Sequence, residues 1–374
     1  MIRKSSRLPG AVSCLCALLL TVVCVEANPV SDRIKSKAES AKAGVQELHR
    51  SGAPPVDLVG QLRRIPKLMQ AGRIEEAETI LDEVLAEVER RKSGGGAEAG
   101  NVFCNPRAVS IDGYDDDVME PFISRDGSLL LFNNSNDPNV DTNLHLARVK
   151  GPFEFEYVGP IEGANSKALD GVPSLDENGR LVFISTRSYD MDRKTLYAGQ
   201  LEGRRATQVA PLRGSLARGR PPWFNMDAEL APDGEVLYYV ENEFDPAKGR
   251  PKSSNILVAR LRDGRYVEDP DGRRIMRNVN TDELEYAPAI SADGLALFFT
   301  RAEGIVVGNR AGASGTFIYV ATRQHVDDPF GAPVRLRAIR GFVEGPTVTS
   351  DGKRLYYHAR IDGKFVLHAV ERCQ

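Results

Sequence analysis

The chain has 374 residues, with 49 Lys and Arg against 52 Asp and Glu, and its formal charge of −3 excludes a general attraction to nucleic acid or to anionic membranes. At 41% hydrophobic and 27% charged residues it has the balance of a globular protein, long enough for one large domain and an appendage.

Arg3, Lys4 and Arg7 precede an apolar run from Ala11 to Val25, and Val25-Glu26-Ala27 offers a small-residue cleavage site, so residues 1–27 read as an export signal. Fifteen apolar residues fall short of the roughly 20 that a spanning helix needs, which predicts cleavage and no transmembrane span. A lipid anchor on Cys24 is the alternative, but Thr21, Val22 and Val23 do not supply the small residue it would want. The mature chain, of 347 residues and formal charge −5, is expected in the periplasm or outside the cell. It keeps two cysteines, Cys104 and Cys373, for which an oxidising compartment predicts one disulfide.

Residues 28–92 carry little strand signal. Leu58, Leu62, Ile65 and Leu68 recur at helical spacing, as do Ala77, Ile80, Leu81, Val84, Leu85 and Val88, predicting two helices joined at Ala71-Gly72-Arg73. The stretch "LMQAGRIEEAETILDEVL" resembles a single tetratricopeptide helix pair. That architecture buries its faces by stacking about three repeats, so one copy reads as a hairpin for local packing or dimerisation. Ser93 to Asn101, "SGGGAEAGN", reads as a flexible linker.

From residue 102 a unit recurs five times, as "EPFISRDGSLLLFNN" from Glu120, "GVPSLDENGRLVFIST" from Gly171, "DAELAPDGEVLYYVE" from Asp227, "YAPAISADGLALFFTR" from Tyr286 and "GPTVTSDGKRLYYHAR" from Gly345. The turn residues Asp126, Asn178, Asp233, Asp293 and Asp351 are 52, 55, 60 and 58 apart, a period that means blades. Each Asp-Gly or Asn-Gly pair predicts a hairpin between two short strands. A third strand follows, as in "NLHLARV" and "NILVARL", and in the first four units a fourth, clearest in "FEFEYVGPI" and "RATQVAPL". Residues 102–374 are thus predicted to be all-β, a five-bladed β-propeller of four-stranded antiparallel blades behind a small helical segment.

The pattern of Pro, Ser three residues on, Asp-Gly and an apolar run, as in "PAISADGLALFFTR", resembles the WD-repeat-like propeller repeats of TolB and its relatives over about residues 105–374. The resemblance implies a fold and a habit of binding proteins or small molecules. The five units here compare with six in TolB's propeller, and the N-terminal part reads as helical where TolB has an α/β domain.

The fifth unit stops after its third strand, and "NPRAVSI" before the first unit stands where a fourth strand would, so the termini are expected to complete one blade together and protect its edge. Links from second to third strand and from blade to blade are long (Asn134–Thr142, Pro211–Met226, Glu241–Ser254, Pro270–Leu284, Ala302–Gly315), which makes their face the expected binding face. At the head of each innermost strand on that face stands an acid: Glu120, Asp170, Asp227, Glu285 and Glu344. Five carboxylates around a channel mouth would form a negative well for a cation, an amine, a basic peptide or a glycoside. Alternatively they bond loop amides and recur because the repeat recurs. Trp223, the single tryptophan, follows Arg218, Gly219, Arg220 and two prolines, and would stack on a sugar or a partner or pack over a neighbouring blade.

Asp137, Asn139, Asp141 and Asn143 alternate as calcium ligands would, but Arg148 stands where a bidentate Glu belongs, which favours a polar loop. The five histidines show no metal spacing, and there is no nucleophile elbow, phosphate loop or dinucleotide fingerprint. No cofactor or metal is therefore expected. The sequence points to an exported binding or interaction protein for a protein, peptide or glycan. The alternative is a glycoside hydrolase-like enzyme that uses two mouth carboxylates, as in the arabinanase-like five-bladed glycosidases.

Overall fold

The computed structural model describes residues 29–50, 58, 61–62, 64–92 and 102–373, except 138, 215, 246, 248–249 and 305–314. The expected export signal, the linker Ser93–Asn101 and most of the Ala302–Gly315 loop lie outside the described residues. The chain divides into two compact units, 1–98 and 99–374. Among the described residues no helix is long and apolar enough to cross a membrane.

In the first unit three helices, α1 (Pro29–Arg50), α2 (Ile65–Gln70) and α3 (Ile74–Lys92), replace the expected pair. The extra helix α1 is rich in charge, and its apolar stripe of Ile34, Ala41 and Val45 is thin, yet it packs on Ala77, Leu81, Val84 and Val88 of α3. Gly44 permits this approach, since a Cβ there would lie 2.3 Å from Val88 Cγ1. Arg33 and Lys37 of α1 reach Glu78 at 2.7 and 2.8 Å.

The second unit is built of antiparallel meanders. The first is β3 (Met119–Ile123), β4 (Leu129–Asn133), β5 (Leu144–Gly151) and β6 (Glu154–Pro160), and the second is β7 (Asp170–Leu175), β8 (Arg180–Ser185), β9 (Leu196–Glu202) and β10 (Arg205–Pro211). The third is β11 (Trp223–Leu230), β12 (Val236–Asp245), β13 (Arg250–Arg262) and β14 (Arg265–Glu268). The fourth is β15 (Leu284–Ile290), β16 (Ala296–Glu303), β17 (Gly315–Thr322) and the two-residue β18 (Val334–Arg335). These two share one sheet through a single parallel contact, Ser254 with Leu284. Last come β19 (Val343–Val348), β20 (Arg354–Ile361) and β21 (Lys364–Arg372), whose outer neighbour is β1 (Phe103–Ala108) from the other end of the unit.

Thus β1 pairs with β21, Phe103 opposite Arg372, and the Cys104–Cys373 disulfide closes beside it with Cα atoms 5.5 Å apart. The segment expected to form that strand is divided. After a bulge at Asn105 (φ +56°), Ser110–Asp112 leaves as β2 and runs parallel to β6, so it binds the first meander and not the last.

The meanders pack face to face. Phe122 and Leu131 meet Leu181 and Phe183, Val182 meets Leu237 and Tyr239, and Tyr238 and Val240 meet Leu297 and Phe299. Phe298 then meets Leu355 and Tyr357, and Tyr356 returns to Leu130 and Phe132 of the first meander. The first strands neighbour one another in the same order, β3, β7, β11, β15, β19 and back to β3.

The repeated turns work differently from the expected two-residue hairpin. Gly127, Gly179, Gly234, Gly294 and Gly352 alone take positive φ, from +66° to +79°. The residue before each glycine does not take positive φ, and in four of the five turns it is an Asp that uses its carboxylate, as Asp293 Oδ1 accepts the Leu295 N–H at 3.0 Å and the Ser291 hydroxyl at 2.6 Å; in the second turn Asp176 takes that part. Asp351 repeats this with Lys353 and Thr349. These are Asx-type turns followed by a left-handed glycine.

Candidate functional site: the channel mouth and the long-loop face

Each innermost strand carries a bulge six residues before the turn Asp or Asn. The bulged residues are Glu120, Val172, Asp227, Ala287 and Gly345, all at φ between +45° and +62°. Side chains other than glycine rarely take that region, so the bulge is imposed by its surroundings. Together with Pro121, Pro173, Ala228, Pro288 and Pro346 these residues line a central cavity of about 20 Å³, room for about one water.

Four of the five bulged N–H groups are caught across the gap between meanders. Val172 donates to Asn133 Oδ1 at 2.9 Å, Gly345 to Thr300 Oγ1 at 3.2 Å and Glu120 to His358 Nδ1 at 3.2 Å. Asn133, Thr300 and His358 each stand seven residues past their turn residue. In the third meander that position is Val240, which cannot accept, and the Asp227 carboxylate takes the Ala287 N–H instead at 2.8 Å.

This register divides the five acids expected at the mouth. Glu120 and Asp227 are bulge residues, Glu344 stands one residue before its bulge, and Asp170 and Glu285 stand two before theirs. A one-residue change of position redirects a strand side chain, so the five do not converge. Asp170 is fully buried, bound by Arg187 Nη2 at 2.6 Å and by the backbone N–H and hydroxyl of Ser166 at 2.5 and 2.7 Å. Glu285 repeats this with Arg301 Nε at 2.7 Å and with Thr281 N–H and hydroxyl at 2.9 and 2.6 Å. Both clamp the loop four residues upstream.

Glu120, Asp227 and Glu344 do come together, around His358 and Tyr286, two residues the sequence reading did not single out. Asn136 Nδ2 donates to Glu120 Oε1 at 2.8 Å, and the Tyr286 hydroxyl donates to Glu344 Oε1. Because His358 Nδ1 accepts from a backbone N–H, its Nε2 is left to donate to Glu344 Oε2, 3.3 Å away. Burial pulls the imidazole's affinity for protons down, and Glu120, Glu344 and Asp227 outweigh it. Burial pushes the Glu120 carboxyl up, and burial with the nearby Glu120 pushes Asp227 up to about 8.

At the short-turn end one side chain bridges three meanders. Arg125, in the first hairpin turn, donates to Glu229 Oε1 at 2.7 Å and Leu230 O at 2.5 Å on β11, and to Ile290 O at 3.3 Å on β15. Glu229 Oε2 accepts the Ser174 hydroxyl at 3.0 Å.

Trp223 opens β11 on the long-loop face. The Arg218 guanidinium lies 3.8 Å from its ring centroid and is held by Glu241 at 2.7 and 2.6 Å, so one ring face packs internally. Beside it a larger pocket, about 360 Å³, opens between the β8–β9 and β10–β11 loops. The Asp137–Asn143 loop bonds itself, Asn139 donating to Asp137 Oδ1 from both nitrogens. No group of three or more metal-ligating side chains occurs among the described residues.

No protein-family model matches this chain, and no curated protein matches it. Solved structures do. A glycoside hydrolase aligns over 75% of this chain and 94% of its own at 13% identity, with a TM-score of 0.51. An endo-arabinase from Bacteroides thetaiotaomicron aligns over 71% and 97% at 14% identity, with a TM-score of 0.45. TolB from Acinetobacter baumannii aligns over 68% and 55% at 15% identity, with a TM-score of 0.37. The likeness is to propeller-fold proteins. At such identities it describes the fold and not the activity.

Proposed function

We propose that the mature chain is an exported five-bladed β-propeller that binds a protein, peptide or glycan on its long-loop face, without chemistry at the channel mouth. The cyclic order of the meander interfaces supports the blade count, and the Cys104–Cys373 disulfide supports an oxidising compartment. The observation that carries the reading is the state of the mouth acids. Each is held by a partner within the protein, and the cavity that Glu120 and Asp227 line, about 20 Å³, is far below the roughly 300 Å³ at which small-molecule pockets begin. A glycosidase would need two carboxylates flanking room for a sugar ring. The Arg125–Glu229 pair at the short-turn end supports access from the long-loop side.

The test is a glycan and peptide array probed with the mature protein. A hit should be lost on charge reversal of the exposed Arg213 and Arg220 on the long-loop face. It should survive Glu235→Lys with Lys353→Glu at the short-turn end. The reverse pattern would overturn the assignment of the face.

A further inference from the structure

The pocket between the β8–β9 and β10–β11 loops is unassigned by anything above. Its walls are apolar and buried: Leu196, Leu212 and Leu216. Two polar side chains on it have no protein partner among the described residues. Asn225 is 2% exposed, and its carboxamide bonds to no protein group although its backbone carbonyl accepts the Thr195 hydroxyl. With no protein partner, that carboxamide lines the pocket and can hydrogen-bond a ligand there. Lys194, half-buried at the rim, makes no ion pair.

The charge around the opening leans basic. The segment 212–222 carries Arg213, Arg218 and Arg220 and no acid, in a protein whose mature charge is −5. Arg218 is taken by Glu241, but Arg213 and Arg220 are exposed and unpaired among the described residues. One acid, Asp192, also stands on the rim, where it accepts the Ser188 hydroxyl at 2.9 Å and the Lys194 N–H at 3.0 Å. A volume of about 360 Å³ lies within the roughly 300–1,000 Å³ of small-molecule sites.

We propose that this pocket binds a small organic anion with an apolar body. The anionic group pairs with Lys194 and hydrogen-bonds the Asn225 carboxamide, and the body lies on Leu196, Leu212 and Leu216. The inference deepens the binding reading and rests on it for the choice of face.

The experiment is titration of the mature protein with octanoate, benzoate and octylammonium, followed by calorimetry and by two-dimensional NMR. Saturable binding of at least one carboxylate is expected, with octylammonium binding at least tenfold more weakly. Lys194→Gln, a rim change with no fold role, should weaken the carboxylate about tenfold, the loss of one charge-assisted contact. Leu216→Trp should abolish binding by filling the pocket, and an unchanged NMR spectrum elsewhere would show that this variant folds. Absence of saturable carboxylate binding up to 10 mM, equal binding of octylammonium, or binding indifferent to Lys194→Gln would each overturn the proposal. An array hit on the long-loop face together with no saturable carboxylate binding would separate the two claims, leaving the face correct and the pocket wrong.

Discussion

Arg125→Met should test whether the meanders truly close on one axis. The Arg125 side chain is 5% exposed, as is that of its partner Glu229, and its guanidinium joins the first meander to the third and fourth. Removing one partner of a buried ion pair typically costs about 3–5 kcal/mol, because the other charge is left in a low-dielectric interior. Glu229 would keep the Ser174 hydroxyl and the Ile290 N–H. Burial already raises its pKa against the pull of Arg125, so without the guanidinium it should bind a proton more readily, and the loss should grow as pH rises above the ordinary carboxylate range. Replacing both residues, in Arg125→Met with Glu229→Met, should cost far less than the sum of the single changes. Urea unfolding read by tryptophan fluorescence isolates the β unit, since Trp223 is the only tryptophan. A single-variant loss under about 1 kcal/mol, or strict additivity of the double, would refute the cross-axis pair.

Three further outcomes are expected. Asp227→Asn keeps an acceptor for the Ala287 N–H but no longer titrates. In the wild type this carboxyl ionises near 4 when unfolded and is pushed up to about 8 when folded, so its stabilising contribution is complete below pH 4 and is lost as pH rises to 8, at about 1.4 kcal/mol per pH unit; the variant's urea midpoints should lack that slope. Loss of the disulfide in Cys104→Ser with Cys373→Ser should lower stability by up to on the order of 5 kcal/mol, since it releases a loop of 269 residues, and free thiols in protein from the native compartment would contradict the bond. Gly345→Ala should lower the melting temperature, because φ is +62° there and its Cβ would stand 2.8 Å from Glu120 Oε2, whereas Gly363→Ala, at an open position of φ +88°, should cost less.

The repeat was legible because its turn chemistry is local. Asp-Gly spacing located the strands, and the counting of strands located the closing segment, although not that β2 would leave it for β6. What failed was the alignment of the acids. They were matched by residue type at strand heads, when the constant six-residue offset to the turn would have matched Glu120 and Asp227 with Val172, Ala287 and Gly345. That register was present in the sequence, whereas the bulge that gives it meaning was not. His358 shares its place with Asn133 and Thr300, a recurrence of polar residues in an apolar strand that could have been seen. Arg125 and Glu229 could not have been paired from sequence, because 104 residues separate them and only ring closure brings them together. Helix α1 was missed because Lys, Ser and Ala dilute its apolar stripe.

The central claim is that the mouth acids hold the propeller together and do no chemistry, and turnover measures it most directly. Incubated with a panel of 4-nitrophenyl glycosides at micromolar protein, the mature chain should release no nitrophenolate above the buffer rate, while Glu344→Gln and Asp227→Asn leave any array binding unchanged. Catalysed release that falls a hundredfold or more in either variant, with folding intact, would contradict the account.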